Sequence, residues 1–341
     1  MKDFPVDIVY TWVDGSDKKW QSKKENILKK YGIYQKSRDV SGQKRFSNND
    51  ELKYSLRSVQ KYCPWIRNIY IITDNQIPDW INTDNNNLRI IDHKEIFGKN
   101  ILPTFNSNAI EMRLKYIKGI SDNFLSFNDD FFIGKETTKS DFFYENGLPK
   151  IFVGKTKLKL KLKLRLLFPF LKKYKAHASA VSNSRKLIFN KYDKIINYNL
   201  IHSVKPINIK FLNEIEKIFN KEHKITLKNQ FRDNSDTWVV SLCAYYQLAT
   251  NKNKVKYVQK IEKRNYLNKL FLYMGIKLNY GYIDLSWPLI RVKKYLNLIY
   301  KYKPLTFCLN DWPNNNQEAD KTIKKFLEKM YPDKSIYEKE M

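Results

Sequence analysis

Short apolar runs alternate with helically spaced ones over the first 150 residues, the rhythm of an α/β domain. Residues Asp7–Val13 predict a buried strand that ends in the turn Asp14-Gly15-Ser16-Asp17. Asn68–Thr73, Leu88–Ile91 and Asn123–Phe127 predict three more strands. Asn48-Asn49-Asp50-Glu51 reads as a helix N-cap with Glu51 at the capping-box position, and Leu52, Leu56 and Val59 supply the apolar face behind it. Ser107–Ile117, Ile207–Phe219 and Asp236–Leu248 carry helical spacing, and the tail from Asn316 reads as a polar amphipathic helix.

The pattern changes near Lys155. Lys157–Leu166 alternates basic residues with leucine, and a period of two predicts a ribbon with one apolar and one cationic face. A helix there would scatter leucines all round its axis. The ribbon is either an arm packed on the body or a contact for anionic headgroups. Residues Lys252–Lys303 are basic and tyrosine-rich, with weak periodicity.

Composition narrows the classes. With 341 residues, 42% of them hydrophobic and 15% aromatic, the chain can bury a large core. No stretch approaches the roughly 20 apolar residues of a membrane span, and Met1–Val13 lacks a secretory layout. Three scattered cysteines, Cys63, Cys243 and Cys308, fit a reducing compartment. The expected location is therefore cytoplasmic, with a peripheral position at the inner membrane face as the variant. A net charge of +28 attracts polyanions: nucleic acid, anionic lipid, or nucleotides and phosphorylated glycans. Charge alone does not choose among them, but a nucleic-acid binder has no need of the acid cluster described next.

Three groups of residues fall just past strand ends, where open α/β sheets bind ligands. Trp12, Asp14 and Asp17 surround the first turn and could hold a base and ribose; an ordinary Asp-Gly turn is the competing reading. Asn128-Asp129-Asp130 sets two carboxylates side by side, a repulsion that a divalent cation relieves. Mg²⁺ or Mn²⁺ on such carboxylates and a pyrophosphate is the usual arrangement; a solvated acidic turn competes. The third group is spread over His202, Arg232 and Asn310-Asp311. Histidine can accept a proton near working pH and arginine offers a fork to phosphoryl oxygens, yet residue type alone does not separate His202 from His93, His177 or His223.

Together these residues resemble the Stealth family of sugar-phosphate transferases, which includes bacterial capsular polysaccharide phosphotransferases and the α/β subunits of the lysosomal-targeting GlcNAc-1-phosphotransferase. Its four motif blocks are matched in order. The first is similar to Asp7–Asp17. The second runs from Arg45-Phe46 and Asn49–Val59 through Pro64–Thr73, Gln76-Ile-Pro78 and Leu102–Ser107 to Asn128-Asp129-Asp130. The third resembles His202–Ala249, with Arg232 inside it, and the fourth Cys308–Asp311. His177, in Lys-Ala-His-Ala, is a rival anchor for the third block, but the helix that should follow and the spacing to Arg232 favour His202.

The resemblance implies a Rossmann-like, GT-A-like mixed sheet flanked by helices, with an inserted basic segment. It divides the chain into a nucleotide-sugar-binding core (1–150), a variable basic insertion (151–200), the remainder of the catalytic domain (201–315) and a helical tail (316–341). It also implies transfer of a hexose-1-phosphate or N-acetylhexosamine-1-phosphate from a UDP-sugar to a glycan or lipid-linked oligosaccharide, with release of UMP. A conventional glycosyltransferase would release UDP. By the same resemblance Asp130 and Asp311 hold the cation, His202 is the general base, Asp129 orients it or the acceptor, and Arg232 stabilises phosphoryl charge. Trp12, Asp14, Asp17, Arg45 and Asn49 seat the donor.

Overall fold

The computed structural model describes residues 3–32, 49–98, 101–157, 176–310 and 317–340. Arg45, Asp311 and all of the basic ribbon beyond Lys157 lie outside them.

The first half contains β1 (Val6–Thr11), α1 (Lys18–Lys30), α2 (Glu51–Tyr62), β2 (Ile69–Thr73), β3 (Leu88–Asp92), α3 (Ser107–Arg113), β4 (Asn123–Asn128) and β5 (Phe131–Ile133). Next come β6 (Ile151–Lys157), α4 (Ala176–Tyr192), β7 (Tyr198–Leu200), β8 (Lys205–Asn208), α5 (Ile209–Ile218), α6 (Asn220–Lys228) and α7 (Val239–Ala249). The last stretch holds β9 (Val255–Tyr257), β10 (Gln259–Lys260), α8 (Asn265–Tyr273), β11 (Leu278–Asp284), α9 (Leu289–Tyr302), β12 (Thr306–Asn310) and α10 (Gln317–Met330).

The main sheet has the order β3-β2-β1-β4-β8. Its first four strands are parallel and β8 closes the edge antiparallel to β4. Parallel strands covered on both faces read as unbroken apolar runs, and Val6–Tyr10 and all of β2 are buried. The buried Asp7 is held by Arg67, whose Nε and Nη2 donate to its two oxygens at 2.9 and 2.6 Å. Pro206 sits in β8, the edge position where a missing N–H is tolerated. A second sheet, β10-β11-β12-β5, joins the first half to the last through antiparallel β5 and β12. A Cβ at Gly134, just past β5, would collide with the Pro304 carbonyl, so the chain turns there at close quarters.

Two local expectations change. The predicted capping box is absent: α2 starts at Glu51, behind Asp50 at φ +65° with no side-chain cap. The Glu51 carboxylate instead accepts from the Asn49 backbone N–H at 2.6 Å and its Nδ2 at 3.2 Å. The weakly periodic segment after Lys252 holds three strands and two helices. Among the described residues, no helix is long and apolar enough to cross a membrane.

Candidate active site

In a sheet ordered 3-2-1-4, loops leave β1 and β4 in opposite directions, opening a crevice past their carboxyl ends. A cavity of about 530 Å³ lies there, with Thr11, Trp12 and Val13 from the end of β1 and Asn128, Asp129 and Asp130 from the end of β4. The fold thus brings Trp12, Asp129, Asp130, His202 and Arg232 to one cavity, as well as His93 and His177. His223 is buried elsewhere, facing Glu216.

One wall is acidic. Glu51 projects from the first turn of α2 toward Asp129, and both line the cavity. Burial first, then the charges of Glu51 and Asp130, push the Asp129 carboxyl well above its usual range. Burial also raises Glu51. Asp130 lies beside Cys308 of β12, whose Sγ donates to Oδ2 at 3.2 Å, and the Leu309 N–H donates to the Asp130 carbonyl at 3.1 Å. Ligand atoms of Asp130, His202 and Cys308 fall within 4.8 Å of one another. A carboxylate, an imidazole and a thiol so close together can hold a divalent cation, and the adjoining carboxyls give one a reason to bind.

The facing wall is cationic. Lys205 of β8 folds its ammonium back on the carbonyls of Ile201 and Ser203 and lies 5.7 Å over the Phe131 ring. Burial brings its pKa down to about 7, although Glu111, Cys308 and Asp130 pull it up. Arg232 donates from Nε and Nη2 to Ser107 Oγ at 3.0 and 2.6 Å. Its loop is pinned by the buried Asp236, which accepts from Asn106 Nδ2, Asn108 Nδ2, Asn229 Nδ2 and the Asp233 N–H at 2.8–3.0 Å. Glu111 of α3 accepts from Trp238 Nε1 at 2.7 Å and faces Arg232 and Lys205.

His202 stands between the walls, its ring edge-on to Phe131 and Tyr282 at 5.2 and 6.1 Å. Tyr280 donates to the His202 carbonyl at 2.9 Å. Burial, then Lys205, His177 and Arg232, bring the imidazole down to about 3, against a hydrogen bond with Asn310. The ring is therefore neutral at any working pH, and the ordinary histidine range expected from sequence does not apply to the free protein. His177 is exposed at the rim, 4.9 Å from the Trp238 ring.

The remaining expected donor residues are placed differently. Asp14 accepts from the Ser16 N–H and Oγ at 2.8 and 2.7 Å. Asp17 caps α1 by accepting from Lys19 and Trp20 N–H. Neither lines the cavity, nor does Asn49. Their carboxylates shape the turn that presents Trp12, and Asn49 fixes Glu51. Trp12 Nε1 and His93 Nδ1 are buried with no hydrogen-bond partner among the described residues. Sequence reasoning passed over Glu51, Glu111, Lys205 and Asp236. Glu51 was visible as an acid at a helix start, but its direction was not.

The chain matches the Stealth protein conserved regions: region 1 over residues 4–32, region 2 over 45–151 and region 3 over 201–249. The third region takes in His202 and Arg232 and leaves out His177. An exopolysaccharide phosphotransferase of Streptomyces coelicolor is 34% identical over 99% of this chain and 52% of its own length. A capsular polysaccharide phosphotransferase of Haemophilus influenzae is 35% identical over 92% of this chain and 79% of its own. The chain thus spans about half of the first relative and about four fifths of the second. Among solved structures, the galactosyltransferase LgtC with donor and acceptor sugar analogs overlaps at a TM-score of 0.40 and 10% identity, covering 95% of each chain. A likeness at that level assigns no chemistry.

Proposed function

This chain belongs to the Stealth family, and on that premise we propose that it transfers a sugar-1-phosphate from a UDP-sugar to a glycan hydroxyl, releasing UMP, during capsular or other surface polysaccharide synthesis. The observation that carries the reading is the pairing of an acidic wall, Glu51, Asp129 and Asp130, with a cationic wall, Lys205 and Arg232, across one cavity. A pyrophosphate with a bound cation is a ligand that answers both walls. The acceptor oxygen attacks the β-phosphorus, the bond to the bridging oxygen breaks, UMP leaves, and the hydroxyl proton passes to a base.

Phosphoryl transfer depends mainly on positioning and charge neutralisation. Arg232 and Lys205 would take the charge on the pyrophosphate and departing UMP, with Glu111 and Ser107 holding them in place. Trp12 would offer its ring and free Nε1 to the nucleotide, on a turn built by Asp14 and Asp17. Arg45 and Asn49 complete the proposed donor end, the latter through Glu51.

The adjoining carboxyls of Glu51, Asp129 and Asp130 on one wall of the cavity fit a divalent cation. Asp130 and Asp311, next to Asn310, would hold Mg²⁺ or Mn²⁺, since hard cations select oxygen. The ion would neutralise pyrophosphate charge. That choice leaves His202 free to take the acceptor proton, with Asp129 orienting it. Two of the cations that depress His202 face the pyrophosphate, so a bound donor offsets their field and returns basicity to the ring. The site of action would be cytoplasmic, where UDP-sugars and lipid-linked glycans meet.

A panel of UDP-sugars, each with and without candidate acceptor glycans, tests the reaction through the nucleotide released. UMP in step with acceptor phosphorylation is the expected result; UDP as the product would make the protein a conventional glycosyltransferase.

Lys205 yields a pH signature. With a pKa of about 7, it is charged below that pH and loses its charge as pH rises through it. Donor binding favours the charged form, so kcat/KM for the donor should fall on the alkaline side of neutrality. In Lys205→Arg, whose charge persists, the limb should disappear. An unchanged limb in that variant would assign it to another group.

A further inference from the structure

We propose that α8 is a docking helix that seats the protein on an anionic lipid surface. Of its nine residues only Asn268 is fully buried. That side chain clips the helix to the end of β10: Nδ2 donates to the Glu262 carbonyl at 2.9 Å, and Oδ1 accepts from the Glu262 N–H at 2.7 Å. The opposite face carries Tyr266, Leu270 and Tyr273, spaced i, i+4, i+7 and 59%, 46% and 91% exposed, with Met274 at 51% just beyond. Five of the fourteen exposed large apolar side chains among the described residues fall between Tyr266 and Met274. Such clustering marks a contact surface, whereas single exposed apolar residues need no explanation.

The charges around the face identify the occupant. Lys263 and Arg264 precede it, Lys269 lies within it and Lys277 follows it, all exposed, with Glu262 the sole acid from residue 261 to 277. A dry protein interface would have to desolvate Lys269 amid apolar side chains. At a bilayer its stem lies along the acyl boundary while the ammonium reaches the phosphates. Tyrosine rings suit the headgroup level for the same reason, apolar body inward and hydroxyl to water. The net charge of +28 adds long-range attraction to a negative surface. This face is distinct in sequence from the basic ribbon after Lys157, which lies outside the described residues.

The helix follows β10, whose contacts lead toward His202. Lys260 of β10 lies 4.7 Å over the Tyr282 ring, which is 6.1 Å from His202. Seating α8 on a membrane therefore holds the His202 side of the cavity near glycans carried on lipid. The docking does not depend on the reaction proposed above and would survive its failure.

The test is co-sedimentation of the full chain with vesicles of equal parts phosphatidylglycerol and phosphatidylcholine, and with phosphatidylcholine alone. The parent should bind the anionic vesicles and not the neutral ones. Tyr266→Ser, Leu270→Ser and Tyr273→Ser together should lower partitioning by about tenfold or more. Because the side chains are exposed, the circular dichroism melt should not move. Lys263→Gln, Arg264→Gln, Lys269→Gln and Lys277→Gln together should weaken binding to the anionic vesicles steeply, by up to about fivefold per cation. The proposal is overturned if the parent ignores anionic vesicles, binds both kinds equally, or loses nothing in either variant. It is overturned too if light scattering shows a parent dimer that the serine variant splits, for the face is then a protein contact.

Discussion

Asp130→Asn should fold like the parent and lose transfer by roughly a thousandfold, the rate equivalent of several kcal/mol of charge stabilisation. The carboxylate sits where β4 ends, within reach of His202 and Cys308, and asparagine keeps its shape while removing the charge. Asp311→Ala should behave alike, and EDTA should silence the parent until Mg²⁺ or Mn²⁺ is restored. The fold should be indifferent, because the cluster carries repulsion that the substitution relieves; a melting temperature equal to the parent's or higher is expected. Full turnover by the parent in EDTA would remove the cation from the proposed chemistry.

His202→Ala should lower the transfer rate by about 10²–10⁴, the usual worth of a general base, with donor affinity little changed. Metal affinity should also hold, since oxygen ligands are assigned to the ion; a matching loss of metal affinity would make His202 a ligand instead. His177→Ala should cost less than about tenfold, because its ring lies exposed at the rim against Trp238. The pH profile has a definite sign. A base must be neutral to accept a proton, and His202 at about 3 is neutral in the free protein across the assay range. The kcat/KM profile should therefore lack an acidic limb near the ordinary imidazole value of 6.5. A limb in kcat, where bound pyrophosphate restores basicity, should vanish in His202→Ala. If His177→Ala abolishes transfer and His202→Ala is silent, the proton acceptor has been placed on the wrong histidine.

The four parallel strands were legible because strands covered on both faces have few ways to write themselves other than runs such as Ile-Val-Tyr and Ile-Tyr-Ile-Ile. The end of β4 was legible for a related reason: two adjacent acids after Phe-Leu-Ser-Phe are costly unless something uses them. Lys205 and Glu111 were hidden because their roles come from pairing across the fold. Lys205 enters the cavity wall only when β8 lies antiparallel on β4, and nothing near residue 205 says so. Asp14 and Asp17 were ambiguous for the opposite reason, since a carboxylate that caps a helix or closes a turn has the same sequence pattern as one that grips a ribose. Cys308 reads as a small buried hydrophobe and is buried, yet its thiol also touches Asp130. The elements after Lys252 were obscured because α8 turns its apolar side chains outward, which blurs the periodicity that marks a core-facing helix.

The pairing of β5 with β12 joins Phe131 to Cys308 and has a consequence for biosynthesis. A chain emerging from the ribosome displays Asp129 and Asp130 long before Cys308 and Asn310 have been made. Until β12 threads in beside β5, Asp130 lacks its contacts with Cys308 and Leu309 and His202 lacks its Asn310 contact. On the proposed chemistry, a product that stops short of β12 would lack these contacts and should be inactive. Release of UMP by ribosome-bound chains of increasing length should accordingly begin only after β12 clears the exit tunnel.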